Sequence, residues 1–209
     1  DLVANIVGWV YLMTRKHFQI GDRIQVDTHI GDVIDIGVQS FTVMEIGNWV
    51  DADQSTGRLI EIPLSNILTK PLANYSKGFS YIWHEIPLMV TFESDWRKAK
   101  ILLEKILVAY QKPKQDAIHA AMRNAKRSTM VSYSKLTPVV YTRIQSNGIQ
   151  LTLRFMCEIR QRRNAEQDII EQVLDSLLKD PSIYLAYPTK RIYRNPEDQP
   201  QPTHPVSLA

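Results

Sequence analysis

The sequence predicts an α+β protein of two small domains, an all-β unit followed by a split β-α-β sandwich. Three observations carry this. The first is a change of pattern near residue 77, from short alternating runs between turns to alternating runs interleaved with helical spacing. The second is a change of charge. Residues 1–77 hold 6 Lys+Arg and 9 Asp+Glu, residues 78–193 hold 18 and 11, and residues 194–209 hold 1 and 2. These nets of −3, +7 and −1 fit domains with different surfaces. The third is size: 209 residues suit one to two domains. With 44% hydrophobic and 22% charged residues, composition is ordinary for a globular chain, and collagen-like, low-complexity and disordered classes are excluded. The single cysteine, Cys157, rules out an intrachain disulfide and fits a reducing compartment. No apolar run reaches the roughly 18 to 20 residues that span a bilayer.

Leu2 to Met13 is a short apolar stretch followed by Arg15 and Lys16. It lacks a basic n-region and a cleavage site, so it is a poor signal peptide. Ala4 and Gly8 share one helix face, where small residues allow close helix approach. It reads as a helix packed on its own domain, a helix packed on others, or the severed end of a membrane helix with a cytoplasmic basic flank.

From Phe18 to about Tyr75, short strands read as a small β-barrel or sandwich. Ile24 and Val26 alternate with polar residues. Gly31-Asp32 reads as a turn, after which Ile34, Ile36 and Val38 share a face. Phe41 to Ile46 and Leu59 to Ile62 are further strands, and Asp51 to Gly57 is a polar loop. Gly21 and Gly31 are expected where φ is positive or chains pass closely. Pro63 and Pro71 mark strand edges, because proline cannot donate to a ladder.

The second domain begins with Ile82, His84, Ile86, Leu88, Val90 and Phe92 alternating as a long strand, with Pro87 placing it at an edge or bulge. Ser94 is the expected cap of a helix burying Ile101, Leu102, Ile106, Leu107 and Tyr110. Pro113 interrupts it before Ile118, Ala121 and Met122. Asn147-Gly148 predicts a two-residue type I′ turn. Ile149, Leu151, Leu153, Phe155, Cys157 and Ile159 then line one strand face. Asn164 and Gln167 have capping-box spacing before a helix burying Ile169, Ile170, Val173, Leu174, Leu177 and Leu178. Ser182 to Tyr187 is a final strand. The order is that of a ferredoxin-like sandwich. The tail from Asn195, with four prolines, is expected to be flexible.

Catalytic chemistry is absent from this pattern. His17, His29, His84, His119 and His204 are scattered, without metal-ligand spacing. His84 reads as a core histidine, and Cys157 as a small buried hydrophobe. No nucleophile elbow, dinucleotide fingerprint or phosphate loop occurs. Asp51 and Asp53 resemble the start of a calcium loop, but Ile62 stands where the distal Glu is needed, so a solvated hairpin loop is expected. Lys98, Lys100, Lys105, Arg160, Arg162 and Arg163 could contact phosphates, yet they lie on expected solvent faces. The chain is therefore read as a non-enzyme with a binding or assembly role and no cofactor or metal.

Phe18 to Ser76 resembles the small-conductance mechanosensitive channel (MscS) family. That family's F-x-x-G-D-x-I, G-x-V-x-x-I, Thr-bearing strand, I-P-N-S and closing N-x-S are matched by Phe18, Gly21, Asp22, Ile24, Gly31, Val33, Ile36, Thr42, Ile62, Pro63, Asn74 and Ser76. Leu2 to Phe18 looks like the end of the family's pore-lining helix, with Asn5 in the usual place. Tyr184 to Tyr193 resembles the stretch leading to its terminal strand. The family's Pro-Asn-Ser is here Pro63-Leu64-Ser65-Asn66, so the Asn is displaced. The Gly47 to Gly57 loop looks longer than in the shortest members.

The resemblance implies a pore-helix end at 1–17, an Sm-like β-barrel at 18–77, a ferredoxin-like cage domain with a terminal strand at 78–193 and a flexible Pro-rich tail at 194–209. It implies a homo-oligomer, typically a heptamer, in the cell (inner) membrane. This region would lie on the cytoplasmic side, joined to the lipid bilayer through upstream helices. Tension would open it to ions and small solutes during osmotic downshock. Ala4 and Gly8 would pack against neighbouring copies. Tyr75, Lys77, Gly78, Phe79 and Ser80 would border side portals, and the basic cage would favour anions. No nucleic acid is expected, although a soluble oligomeric RNA-binding Sm-like assembly is the alternative.

Overall fold

The computed structural model describes residues 2–128 and 135–187. The last part of the 184–193 stretch, with the terminal strand expected at the end of the 78–193 domain, and the tail at 194–209 lie outside them. The described chain holds a helix, a five-stranded antiparallel sheet, and a three-stranded antiparallel sheet covered by helices.

Helix α1, Leu2–Arg15, packs one side on the first sheet and leaves Leu2, Val3, Ile6, Val7, Val10 and Met13 exposed. The sheet comprises β1 (Arg23–Val26), β2 (His29–Ile36), β3 (Ser40–Ile46), β4 (Ser55–Pro63) and β5 (Leu72–Asn74), in the order β4-β3-β2-β1-β5. Among the described residues no ladder joins β4 to β5. The short helix α2, Asn66–Thr69, links them. Leu12, Phe18, Ile24, Val26, Val33, Phe41, Val43, Ile62 and Leu64 form the core under α1. Pro63 ends one edge strand and Pro71 precedes the other, as their missing N–H requires.

The register of β2 departs from expectation. The turn is at Asp27-Thr28, with Asp27 at φ 56, and Gly31-Asp32 lies inside the strand. Gly31 is needed for close approach: a Cβ there would sit 2.5 Å from the Met44 carbonyl oxygen. A shift of pairing between Val33 and Asp35 then turns Val33 into the core and leaves Ile34 and Val38 exposed. Simple alternation does not reveal that bulge.

The second sheet comprises β6 (Tyr81–Val90), β7 (Val139–Gln145) and β8 (Gly148–Glu158), in the order β6-β8-β7. β6 is an edge strand, as Pro87 predicts, and runs through that residue without a register shift. An antiparallel bridge from Leu185 to Val90 sits on its outer side. It is a single bridge where a full strand, Ser182 to Tyr187, was expected. The resulting order is that of a split β-α-β sandwich. Helices α3 (Trp96–Gln111) and α5 (Arg162–Leu177) cover one face. The turn at Lys112–Lys114 leads into α4, Gln115–Ser128, which with Leu136 and Met156 forms a smaller cluster.

Four local expectations are corrected. Asp95, not Ser94, caps α3 by accepting from the Lys98 N–H, while the Ser94 hydroxyl donates to the Tyr184 carbonyl. Helix α5 has no side-chain cap, and Asn164 inside its first turn donates to Gln161. The two-residue turn between β7 and β8 is Ser146-Asn147, and Gly148 already belongs to the strand. Its hydrogen face meets the Val90 carbonyl, which explains that glycine by space. In α3 the buried stripe is Ala99, Leu103, Ile106 and Leu107, with Ile101 exposed.

Candidate functional site: the junction of helix, barrel and second domain

Of the residues that carry the family resemblance, Gly21, Asp22, Asn74 and Ser76 meet at one place, where α1 enters the first sheet and the chain leaves it, while Gly31, Thr42 and Pro63 lie elsewhere in the sheet. Asn74 is the hub. Its Nδ2 donates to the His17 carbonyl at 3.1 Å and to Asp22 Oδ2 at 3.0 Å. Its Oδ1 accepts from the backbone N–H groups of Ser76 and Lys77, both at 2.9 Å. Asp22 also accepts from the Gln19 N–H, which closes the turn in which Gly21 takes φ 91. Ser76 Oγ accepts from the Arg23 N–H at 3.0 Å. Phe18 is buried against Phe41, with ring centres 4.9 Å apart. Thr42 pairs with Asp35 beside the β2 bulge, and Pro63 ends β4.

Asn74 is expected to tolerate neither truncation nor charge. An Asn74→Asp change keeps both acceptor bonds but sets a carboxylate against Asp22. Unfolding measurements should show a loss of about 2 kcal/mol at pH 7.

Gly8, which the resemblance sets against neighbouring copies, meets the chain's own residues after β4. A Cβ on Gly8 would lie 2.5 Å from the Leu64 carbonyl oxygen, so its bare face is used within the chain. One turn away, Asn5 Oδ1 accepts from the Ser65 N–H at 2.8 Å. The displaced asparagine motif thus leaves its backbone in use: Leu64 and Ser65 bind α1, while Asn66 begins α2. Ala4 is half-buried on the same side.

The candidate portal residues form the exit of the junction. The Tyr75 hydroxyl donates to Gln25, and Lys77 Nζ donates to the Lys16 carbonyl at 2.8 Å. Gly78 takes φ 91, Phe79 packs 5.7 Å from Tyr81, and the Ser80 carbonyl accepts from the Ile159 N–H.

Two charge clusters that sequence reasoning missed join the domains here. Arg23, only 7% exposed, holds Asp32 bidentately at 2.9 and 2.8 Å. Its Nη1 reaches the Ile159 carbonyl of the second domain at 3.3 Å. Arg160 returns the contact, donating to the Gly21 carbonyl at 2.6 Å and approaching Asp32 at 3.4 Å. Burial pushes the Asp32 carboxyl up, but hydrogen bonding and charge from Arg23, then Arg160, outweigh it and hold it below the usual carboxylate range. The second cluster joins Asp53 to Arg162 at 2.7 Å, so the 47–54 loop docks on the second domain instead of being merely solvated, and residues 55–57 of the expected polar loop already belong to β4. Arg162 and His84 contact at 3.1 Å, as do His84 and Glu166. Arg23, Tyr75, Trp83, His84, Arg154 and Arg162 are among the walls of a cavity of about 590 Å³ between the clusters. The only advance signal was a charged residue, Arg23, on a strand whose neighbours alternate.

Several proposed phosphate contacts are thereby spoken for. Arg160 and Arg162 pair with Asp32 and Asp53, and Lys98 with Asp180 at 2.6 Å. Cys157 is buried, with its thiol pushed up to about 11 by burial. Among the described residues no group of His, Cys, Asp and Glu is arranged to hold a metal ion, and no helix is long and apolar enough to cross a membrane.

The fold and junction define a small β-sheet module joined to a ferredoxin-like domain. Residues 1–77 match the family model for the mechanosensitive ion channel β-domain. An MscS family protein of Archaeoglobus fulgidus is 23% identical over 111 residues, covering 51% of this chain and 34% of its own length. The closed-state crystal structure of Helicobacter pylori MscS superposes with a TM-score of 0.68 at 15% identity, covering 93% of this chain and 66% of that one. The cryo-EM structure of Arabidopsis thaliana MSL1 gives 0.60 at 16% identity, over 90% of this chain and 60% of that one. The chain therefore spans about a third of the curated relative and less than two-thirds of these structures. The family that the motif residues resemble is the one whose β-domain model matches residues 1–77.

Proposed function

We propose that this chain is the cytoplasmic part of a homo-oligomeric mechanosensitive channel, with α1 the inner end of its pore-lining helix. One observation carries the reading. Helix α1 is fixed to the barrel by Asn5, Gly8, Trp9 and Leu12, yet Leu2, Val3, Ile6, Val7, Val10 and Met13 are exposed. An apolar helix face of that extent belongs against other helices or lipid. Since Gly8 is used within the chain, packing between copies would run through this exposed face. Arg15 and Lys16 follow where a cytoplasmic basic flank would stand.

On this reading tension opens the pore because the open state has the larger in-plane area, and only a force acting differently on two states shifts them. A heptamer would multiply the charge of +7 on residues 78–193 around its vestibule and favour anions. Residues 75–80 would border the side portals, and osmotic downshock would be the physiological stimulus. Excised patches containing the full-length protein should show a conductance that rises with applied suction. Their reversal potential in asymmetric salt should shift toward that of the anion. A pressure-insensitive membrane would overturn the channel reading, and a cation preference would overturn the vestibule's role.

A further inference from the structure

The two charge clusters that join the domains differ in what protons can do to them. In the Asp32 cluster the partners are two guanidinium groups and a carboxylate held below its usual range, so nothing there titrates between about pH 5 and 8. The other cluster contains an imidazole. Arg162 Nη1 donates to Asp53 at 2.7 Å, and its Nε donates to His84 Nδ1 at 3.1 Å. An Nδ1 that accepts from a guanidinium carries no proton, so the ring's one proton lies on Nε2 and is donated to Glu166 at 3.1 Å. His84 is 6% exposed, and the Phe155 ring meets it edge-on at 5.5 Å.

We propose that the chain of contacts Asp53–Arg162–His84–Glu166 is an acid-released clasp between the two domains. A second proton on His84 must go to Nδ1. It removes the acceptor from Arg162 Nε and places an imidazolium against a guanidinium. Arg162 withdraws, and Asp53 loses the partner that holds its loop on α5. The Asp32 cluster keeps its bonds, so the domains part about that fixed point.

The charged groups facing His84 are Arg162 and Glu166 from α5 and Asp53 from the β3–β4 loop. From β8, Cys157 remains a neutral thiol, and Arg154 pairs with Glu85 at 2.7 Å along the same cleft. Burial, then the charge of Arg162, pushes His84 below its usual value of 6.5, and Glu166 and Asp53 recover only part of this. The closed clasp therefore disfavours the proton that the opened form accepts. It is fully made above pH 6.5 and weakens as pH falls from there toward the depressed value. The charges on the walls of the neighbouring cavity are paired within the chain, which a clasp explains and a ligand cradle does not.

Amide hydrogen exchange on the whole chain tests this, with rates corrected for intrinsic pH dependence. Between pH 7.5 and 5.5 the 47–54 loop should lose protection by up to about tenfold per pH unit below 6.5, the limit for one linked proton. Strands β1 to β3 should keep theirs. His84→Gln retains an acceptor and a donor without titrating, and should abolish the pH dependence. Asp53→Asn should leave the loop poorly protected at both pH values. Equal protection of the unaltered chain at both values overturns the clasp, as does a dependence that survives His84→Gln. An Asp53→Asn loop as protected as the original overturns it too, and that exposed-loop variant decides the matter if His84→Gln does not fold.

Discussion

Arg23→Ala is expected to destabilise the folded chain by about 3 kcal/mol. The side chain is buried, and its removal deprives Asp32 of a bidentate partner while Arg160 offers only a longer contact. It also frees the Ile159 carbonyl at the domain boundary. Urea unfolding of the single variant and of Arg23→Ala combined with Asp32→Ala gives the coupling. The double variant should recover part of the loss, because it removes the carboxylate that the single variant strands. Arg23→Lys should rescue little, since an ammonium cannot supply the fork geometry. A loss below about 1 kcal/mol would mean that solvent replaces the pair at no cost. The same cluster sets an acid limit. Asp32 lies below 3.8 in the fold, so its contribution is present above that value and is lost as pH falls through the depressed one.

Phe155→Ala is expected to cost about 3–5 kcal/mol, the range for an aromatic deleted from a packed core. The ring is fully buried at the centre of β8 and meets His84 and Tyr110 edge-on, at 5.5 and 5.7 Å. Strand β8 pairs on both sides and α3 and α5 cover it, so nothing nearby can collapse into the space. Thermal unfolding should show the drop. Exchange protection should fall in β6, β8 and α5 before it falls in β1 to β4, because the two sheets have separate cores. Uniform loss across both sheets would contradict that separation.

Much of this fold is legible in the sequence because its periodicity is plain. Ile149 to Cys157 alternate without interruption and form β8 as read, while Ile159, the last of the series, falls in the turn that follows it. The errors share a physical cause. The bulge after Val33 depends on how β2 meets β3, so alternation within β2 alone misplaces Ile34, and Val38 already lies in the turn beyond the strand. Met156 lies on the polar side of its strand's pattern yet is fully buried, because α4 covers the sheet's second face. The junction was half legible. Its motif residues could be named from the chain, but not that Asn74 binds His17, 57 residues away. The Arg23 and Arg162 clusters could not be found, since each joins partners more than 100 residues apart and charge alone says only that a residue prefers water.

The tie at Asn74 also fixes how a mechanical load divides. Residues 16 and 17, just below α1, are bonded to Lys77 and Asn74, where the chain leaves the barrel. The five strands are therefore a closed detour that begins and ends at one knot. A pull along α1 passes to the second domain across that knot, in parallel with the sheet instead of in series with it. The barrel can then steer the helix through Asn5 and Gly8 without its ladders bearing the tension.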